Sequence, residues 1–258
     1  MNKDKARFGK LIERNDGRDF PFYNLLPVEI STWKWIAIIL SCIAGFASLL
    51  FIGFENQILN LIPRIMFVGI PLATFIILAK PNWRAIFKPL KWADIPTMIV
   101  FWLLTLGLSA AAAFIVTGGN PAGGHLAANS ATDTVRAGGI WGVVGFYLGT
   151  FIQLFGEELV TILPFLAVLY WLHAKIKVSR KMAIILATIV TAISFGAMHL
   201  PTYGWNVVQA IVLIGIARIA LTLAFIRTKN ILVSFGAHVL NDWVTFTVVL
   251  VVAAAAMN

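Results

Sequence analysis

Residues 139–173 read GIWGVVGFYLGTFIQLFGEELVTILPFLAVLYWLH, and Glu157 and Glu158 are the only formal charges in the stretch. A helix of roughly 20 apolar residues already crosses a bilayer core, so this run is longer than a crossing needs. It predicts a membrane span that tilts, bends or protrudes, with Pro164 as the expected place for a kink. The remaining apolar runs fall at about 33–54, up to Ala79, 95–116, 182–199, 206–226 and 231–256. Together they predict an all-α, polytopic transmembrane bundle of about seven spans. No internal repeat interrupts the pattern.

Composition agrees. Hydrophobic residues make up 60% of the chain and charged residues 12%, about half the charged share of a soluble domain. Lipid must cover what a soluble core of this size would leave exposed. The net charge of +9 would suit a nucleic-acid binder, but its distribution excludes that partner. Most of the Lys and Arg residues lie in four clusters, Lys3–Lys34, Lys80–Lys91, Lys175–Lys181 and Arg227 with Lys229. All four fall on one side if the spans alternate. This is the positive-inside pattern, and it predicts a multi-pass cell-membrane protein with a cytoplasmic N-terminus. Cys42, the single cysteine, has no intrachain partner and reads as a buried structural residue.

Three regions follow. Residues 1–32 form a polar cytoplasmic segment, with no cleavable signal peptide expected; Phe8, Leu11, Ile12, Phe20 and Phe22 suit a stretch lying on the membrane face. Residues 33–138 hold the first three spans and a Gly/Ala/Ser/Asn-rich exterior loop, 117–138, where His125 is expected to be solvated. Residues 139–258 carry the polar groups that point to chemistry.

Those groups are Glu157 and Glu158 in the fourth span, His199 at the end of the fifth, Arg218 in the sixth, and His238, Asn241 and Asp242 in the seventh. The first three spans carry nothing comparable on this reading. A charge at the bilayer centre costs at least about 2.5–3.5 kcal/mol, so such residues normally face a bundle interior or a wet cavity. His238 and Asp242 are four apart and share a helix face, and Asn241 lies beside it. Adjacent glutamates point about 100° apart, so one can face a cavity while the other pairs with a neighbour. Two carboxylates in a low-dielectric site do not easily both stay ionised, and one then exchanges protons near neutral pH. Two imidazoles and an amide can polarise a carbonyl and hold an oxyanion.

Each residue also has a bland reading: a structural Glu–Arg218 ion pair, an interfacial His199, a local His238–Asp242 helix pair. Depth is a further constraint. Glu157 and His199 lie roughly 27–29 Å from the cytoplasmic charges flanking their spans, and His238 only about 12 Å from Asn230. The three meet only if the 227–230 loop dips inward or the helices tilt strongly.

The order Glu157-Glu158, then Phe195-Gly-Ala-Met-His199, then His238-Val-Leu-Asn241-Asp242 after Thr228-Lys-Asn-Ile-Leu, resembles the CPBP family over residues 150–250. This is the group of CAAX prenyl endopeptidases and bacteriocin-processing enzymes, also called the Abi family, which includes the Ras-converting enzyme. The resemblance implies an intramembrane endopeptidase acting on a peptide or membrane-anchored protein. Glu157 with His199 would activate water, and His238 with Asp242, or with Asn241 beside it, would stabilise the oxyanion. Glu158 would pair with an Arg four residues on. Here that position is Ile162, and Arg218 is the candidate replacement. Family members are described as metal-dependent or as glutamate-type proteases, so the cofactor is a divalent metal such as zinc or none. With the expected Arg missing, a non-catalytic immunity or regulatory protein of the same family is the competing reading. A small transporter using Glu157 and His238 as a proton relay ranks below both, since no broken-helix repeats are present.

Overall fold

A computed structural model describes residues 7–9, 11–56, 58–120, 126–127 and 139–255. His125 lies outside the described residues. The described residues form α-helices joined by short 3-10 and π turns: α1 Thr32–Phe51, α2 Leu61–Ala79, α3 Ile95–Val116, α4 Gly139–Tyr170, α5 Arg180–Met198, α6 Gly215–Thr228 and α7 Ile231–Ala255. Among the described residues, seven helical segments are long and apolar enough to cross a membrane. The all-α bundle read from the sequence is what the chain adopts.

α4 is the hub of the bundle. Leu159, Ile162, Leu163, Phe165, Leu166, Ala167, Leu169 and Tyr170 are all fully buried, and α1, α2, α5 and α7 pack around it. It stays α-helical through Pro164 and changes pitch only in the π turn Trp171–Lys175. α1 and α2 form a hairpin on one side, and α3 lies against α6 and α7 on the other. α2 tolerates Pro63 in its first turn, where the missing N–H has no intrahelical acceptor.

The N-terminal segment does not lie flat on a membrane face. Phe20, Phe22 and Tyr23 are buried. Phe20 packs against Phe165 of α4 and Phe225 of α6, and Phe22 against Trp35 and Phe75. Leu11, by contrast, is exposed. Burying three aromatic rings outweighs leaving them at an interface, at about 1.5–3 kcal/mol per large apolar side chain.

This strap carries a buried charge cluster. Arg180, at the start of α5, donates to both Glu13 oxygens at 3.0 and 2.6 Å and to Asp19 at 2.8 Å. Lys229 donates to Glu13 from the turn between α6 and α7. Burial alone would raise the Glu13 carboxyl, but the hydrogen bonds from Arg180, Lys229 and the Phe8 amide hold it down at about 2. Burial brings the Lys229 ammonium down to about 8, with Glu13 pulling the other way. Arg14 ties the strap to Asp94 at 2.8 Å and to Thr97 of α3 at 2.6 Å. Arg227 reaches the Leu11 carbonyl at 2.8 Å.

The strap resolves the depth constraint. Thr228, Lys229 and Asn230 are each at most 2% exposed, so the α6–α7 turn is an inward loop. Backbone off the helical ladder is tolerated at such depth only where protein satisfies its polar groups. Here the Asn230 amide pairs with both backbone groups of Lys88, at 3.1 and 3.0 Å. Lys229 takes the left-handed conformation that ends α6. α7 therefore starts from inside the protein, which brings His238 level with the α4 glutamates.

Candidate active site

Glu158 and Arg218 are fully buried and face each other across α4 and α6. Arg218 Nη1 and Nη2 donate to the two Glu158 oxygens at 2.5 and 3.2 Å. Its Nε reaches Thr222 Oγ1 at 3.3 Å, and its guanidinium lies 5.3 Å from the Phe195 ring centre. The sixth-span arginine is thus the partner of Glu158, and Ile162 is buried apolar core. A fully buried carboxylate without a cation would cost several kcal/mol, and a bidentate guanidinium is the geometry that best offsets it.

Glu158 Oε1 also stands 3.0 Å from His238 Nδ1. A carboxylate only accepts, so Nδ1 is the donor. On α5, His199 Nδ1 donates to the Phe195 carbonyl at 2.8 Å, which turns its Nε2 towards Glu157. Gly196 allows that end of α5 to approach the π turn Val208–Ile214. A Cβ there would lie 2.4 Å from the Ala210 carbonyl oxygen.

Both Nε2 atoms face one carboxylate oxygen. Glu157 Oε2 is 4.0 Å from His199 Nε2 and 3.7 Å from His238 Nε2. These separations exceed a direct hydrogen bond and suit a water bridging the groups. A cavity of about 50 Å³ lies against these groups, lined by Gln153, Glu157, His199, Thr202, Met198, Phe46, Leu49 and Phe67. That is room for water between polar partners.

The other sequence candidates fall on the rim. Asp242 Oδ1 lies 3.8 Å from His238 Nε2. Asn241 turns its amide to Asp242, donating from Nδ2 at 3.0 Å. Glu157, Glu158 and Asp242 all approach His238, at 3.7, 3.0 and 3.8 Å. Two helix contacts hold the α4–α7 register: Trp243 Nε1 donates to Thr150 at 3.2 Å, and the Tyr147 and Thr247 hydroxyls meet at 2.6 Å.

Among the described residues, no group of three or more His, Cys, Asp or Glu side chains is arranged to hold a metal ion. The 4.0 and 3.7 Å separations of Glu157 Oε2 from the two Nε2 atoms are wider than the separation of about 3.4 Å that zinc bonds of roughly 2.0–2.1 Å imply for a tetrahedral site. The donors as placed do not fit such an ion, so the chemistry that follows is assigned to the side chains and water.

Two polar residues escape the sequence reading. Gln153, one turn before Glu157, donates from Nε2 to Glu157 Oε1 at 3.1 Å and leaves Oε2 to the histidines. An uncharged amide gives no alarm in a scan for intramembrane charges, although its i,i+4 spacing to Glu157 is the available signal. Arg64 of α2 is a charged residue in the first three spans, against the expectation that they carry nothing comparable. It was hidden by its place near the start of the span.

Residues 139–244 match the family model of the Rce1-like type II CAAX prenyl endopeptidases. The matched segment runs from α4 into α7 and includes all three motifs, so the resemblance read from them is borne out. No curated protein and no solved structure matches the chain.

Proposed function

We propose that the chain is a CAAX-protease-like intramembrane endopeptidase that hydrolyses a peptide bond in a peptide or membrane-anchored protein with a glutamate-activated water. The convergence of His199 Nε2 and His238 Nε2 on Glu157 Oε2 beside a water-sized cavity carries this reading. Glu157 takes a proton from the water while His199 Nε2 accepts its other hydrogen. The water oxygen then bonds to the substrate carbonyl carbon, and the carbonyl π electrons move to oxygen. His238 enters the reaction as the imidazolium, paired with Glu158 and Asp242, and donates from Nε2 to that oxyanion. Glu157 returns its proton to the amide nitrogen, the C–N bond breaks, and the amine leaves. Arg218 keeps Glu158 ionised, and Glu158 holds His238 in the required orientation.

The protein sits in the cell membrane with its N-terminus in the cytoplasm on this reading, because the basic clusters gather at the strap end of the bundle. The test is cleavage of a peptide library by purified wild type and by Glu157→Ala. Cleavage by wild type and its loss in the variant are expected. Equal cleavage by both would refute the mechanism. No cleavage by a folded wild type would favour the immunity or regulatory reading.

A further inference from the structure

Arg64 sits on the face of α2 that meets α4. Its guanidinium lies directly over Gly149, where a Cβ would come 1.5 Å from Nη1. Phe67, one turn on, lies in the same way over Gly156 and lines the cavity. Gly149, Gln153 and Glu157 follow one another at four-residue intervals and share one stripe of α4. Arg64 therefore packs over the same stripe of α4 that carries Glu157, two turns nearer the start of α4. Half-buried, it makes no hydrogen bond or ion pair among the described residues. Arg218, by contrast, is fully buried and paired with Glu158. A half-buried guanidinium one turn inside α2, packed on the α4 stripe and without a protein partner, is placed to receive an anionic ligand.

We propose that Arg64 receives a carboxylate of the substrate, fixing where the peptide lies relative to Glu157. The proposal rests on the peptidase reading of the site. Eight residues separate Gly149 from Glu157, about 12 Å at 1.5 Å per residue. An extended peptide advances about 3.3 Å per residue, so the carboxylate belongs about three to four residues beyond the bond that Glu157 attacks. Planar, bidentate recognition by arginine suits a carboxylate, either the chain terminus or an acidic side chain.

Binding tests this without requiring turnover. The full chain carrying Glu157→Gln is placed in phosphatidylcholine nanodiscs and titrated with fluorescein-labelled peptides that differ only in their last group, free carboxylate or carboxamide. The acid should bind about tenfold more tightly than the amide, in line with one charge-assisted bidentate pair. Arg64→Gln should remove that preference. So should Gly149→Ala, which displaces the guanidinium without removing its charge and guards against misfolding of the first variant. Arg64→Lys should keep part of it. An amidated peptide ending in Asp separates a terminal from a side-chain carboxylate, and tighter binding of either supports the proposal. Equal binding of acid and amide, binding of neither, or a preference that survives Arg64→Gln would overturn it. If Arg64→Gln changes only the thermal stabilisation given by phosphatidylglycerol nanodiscs, Arg64 is a headgroup contact and the proposal falls. An acid preference in a protein whose wild type never cleaves these peptides would sink the peptidase reading and leave the Arg64 site standing.

Discussion

Arg218 and Glu158, sixty residues apart in the chain, form a bidentate ion pair with both side chains fully buried. Glu158 in turn orients His238. The cation beside Glu158 comes from another helix, so the pair also locks α4 to α6, while position 162, one turn on, is the buried Ile162.

Removing Arg218 should therefore be severe. Arg218→Met leaves Glu158 as an uncompensated buried charge, at a cost of roughly 3–5 kcal/mol. Adding Ile162→Arg to that variant should recover part of the loss, because position 162 lies one turn from Glu158. Thermal unfolding in detergent of the single and double variants checks both. A double variant less stable than the single would argue against interchangeable cations.

Gly156→Ala should destabilise by about 1–3 kcal/mol through overpacking. The new Cβ would fall 2.5 Å from the Phe67 ring, which is rigid and fully buried. Because Phe67 lines the cavity at Glu157, the same variant should lower cleavage more than its loss of stability accounts for. Cleavage measured well below the melting temperature separates the two effects.

The strap makes an acid-sensitive contribution. The folded Glu13 carboxyl is held at about 2 against an ordinary value of 4.5. Its stabilisation is complete above about pH 4.5 and is lost as pH falls towards 2, amounting to roughly 3 kcal/mol at most. Lys229 contributes a penalty in place of a stabilisation, and it too favours the fold more as pH rises. Its folded value of about 8 lies below the ordinary 10.5, so its burial weakens the fold below pH 8 and that penalty fades as pH rises to 10.5. Melting curves of wild type and Glu13→Gln should differ most near neutral pH and converge between about pH 4.5 and 2. A gap unchanged through that window would contradict the assignment.

The architecture was legible because apolar runs and basic clusters are local properties. Seven runs predicted seven spans, and the Glu157–Glu158, His199 and His238–Asp242 spacings marked the helices that meet. The pairing of Glu158 was readable only as a candidate, since which cation faces a carboxylate depends on helix rotation and packing. The strap was misread as interfacial because Phe20 and Phe22 look alike on a membrane surface and in a core. Its charges, Glu13 and Asp19, find Arg180 and Lys229 only after the bundle has formed. The inward turn at Lys229 and Asn230 was one of two options that depth arithmetic left open, and the buried Asn230–Lys88 pairing shows which the chain uses. Gln153 and Arg64 drew no notice, the first for lacking charge and the second for lying at a span's edge.

The account depends on Glu157 and His199 acting on the same water. A double-mutant cycle on kcat/KM, using Glu157→Gln, His199→Ala and the two combined, measures this most directly. Each single variant should lose about 10²–10⁴-fold, and the double should lose little more than the worse single, as groups that work as a unit do. Losses that multiply in the double variant, or either single variant cleaving at the wild-type rate, would contradict it.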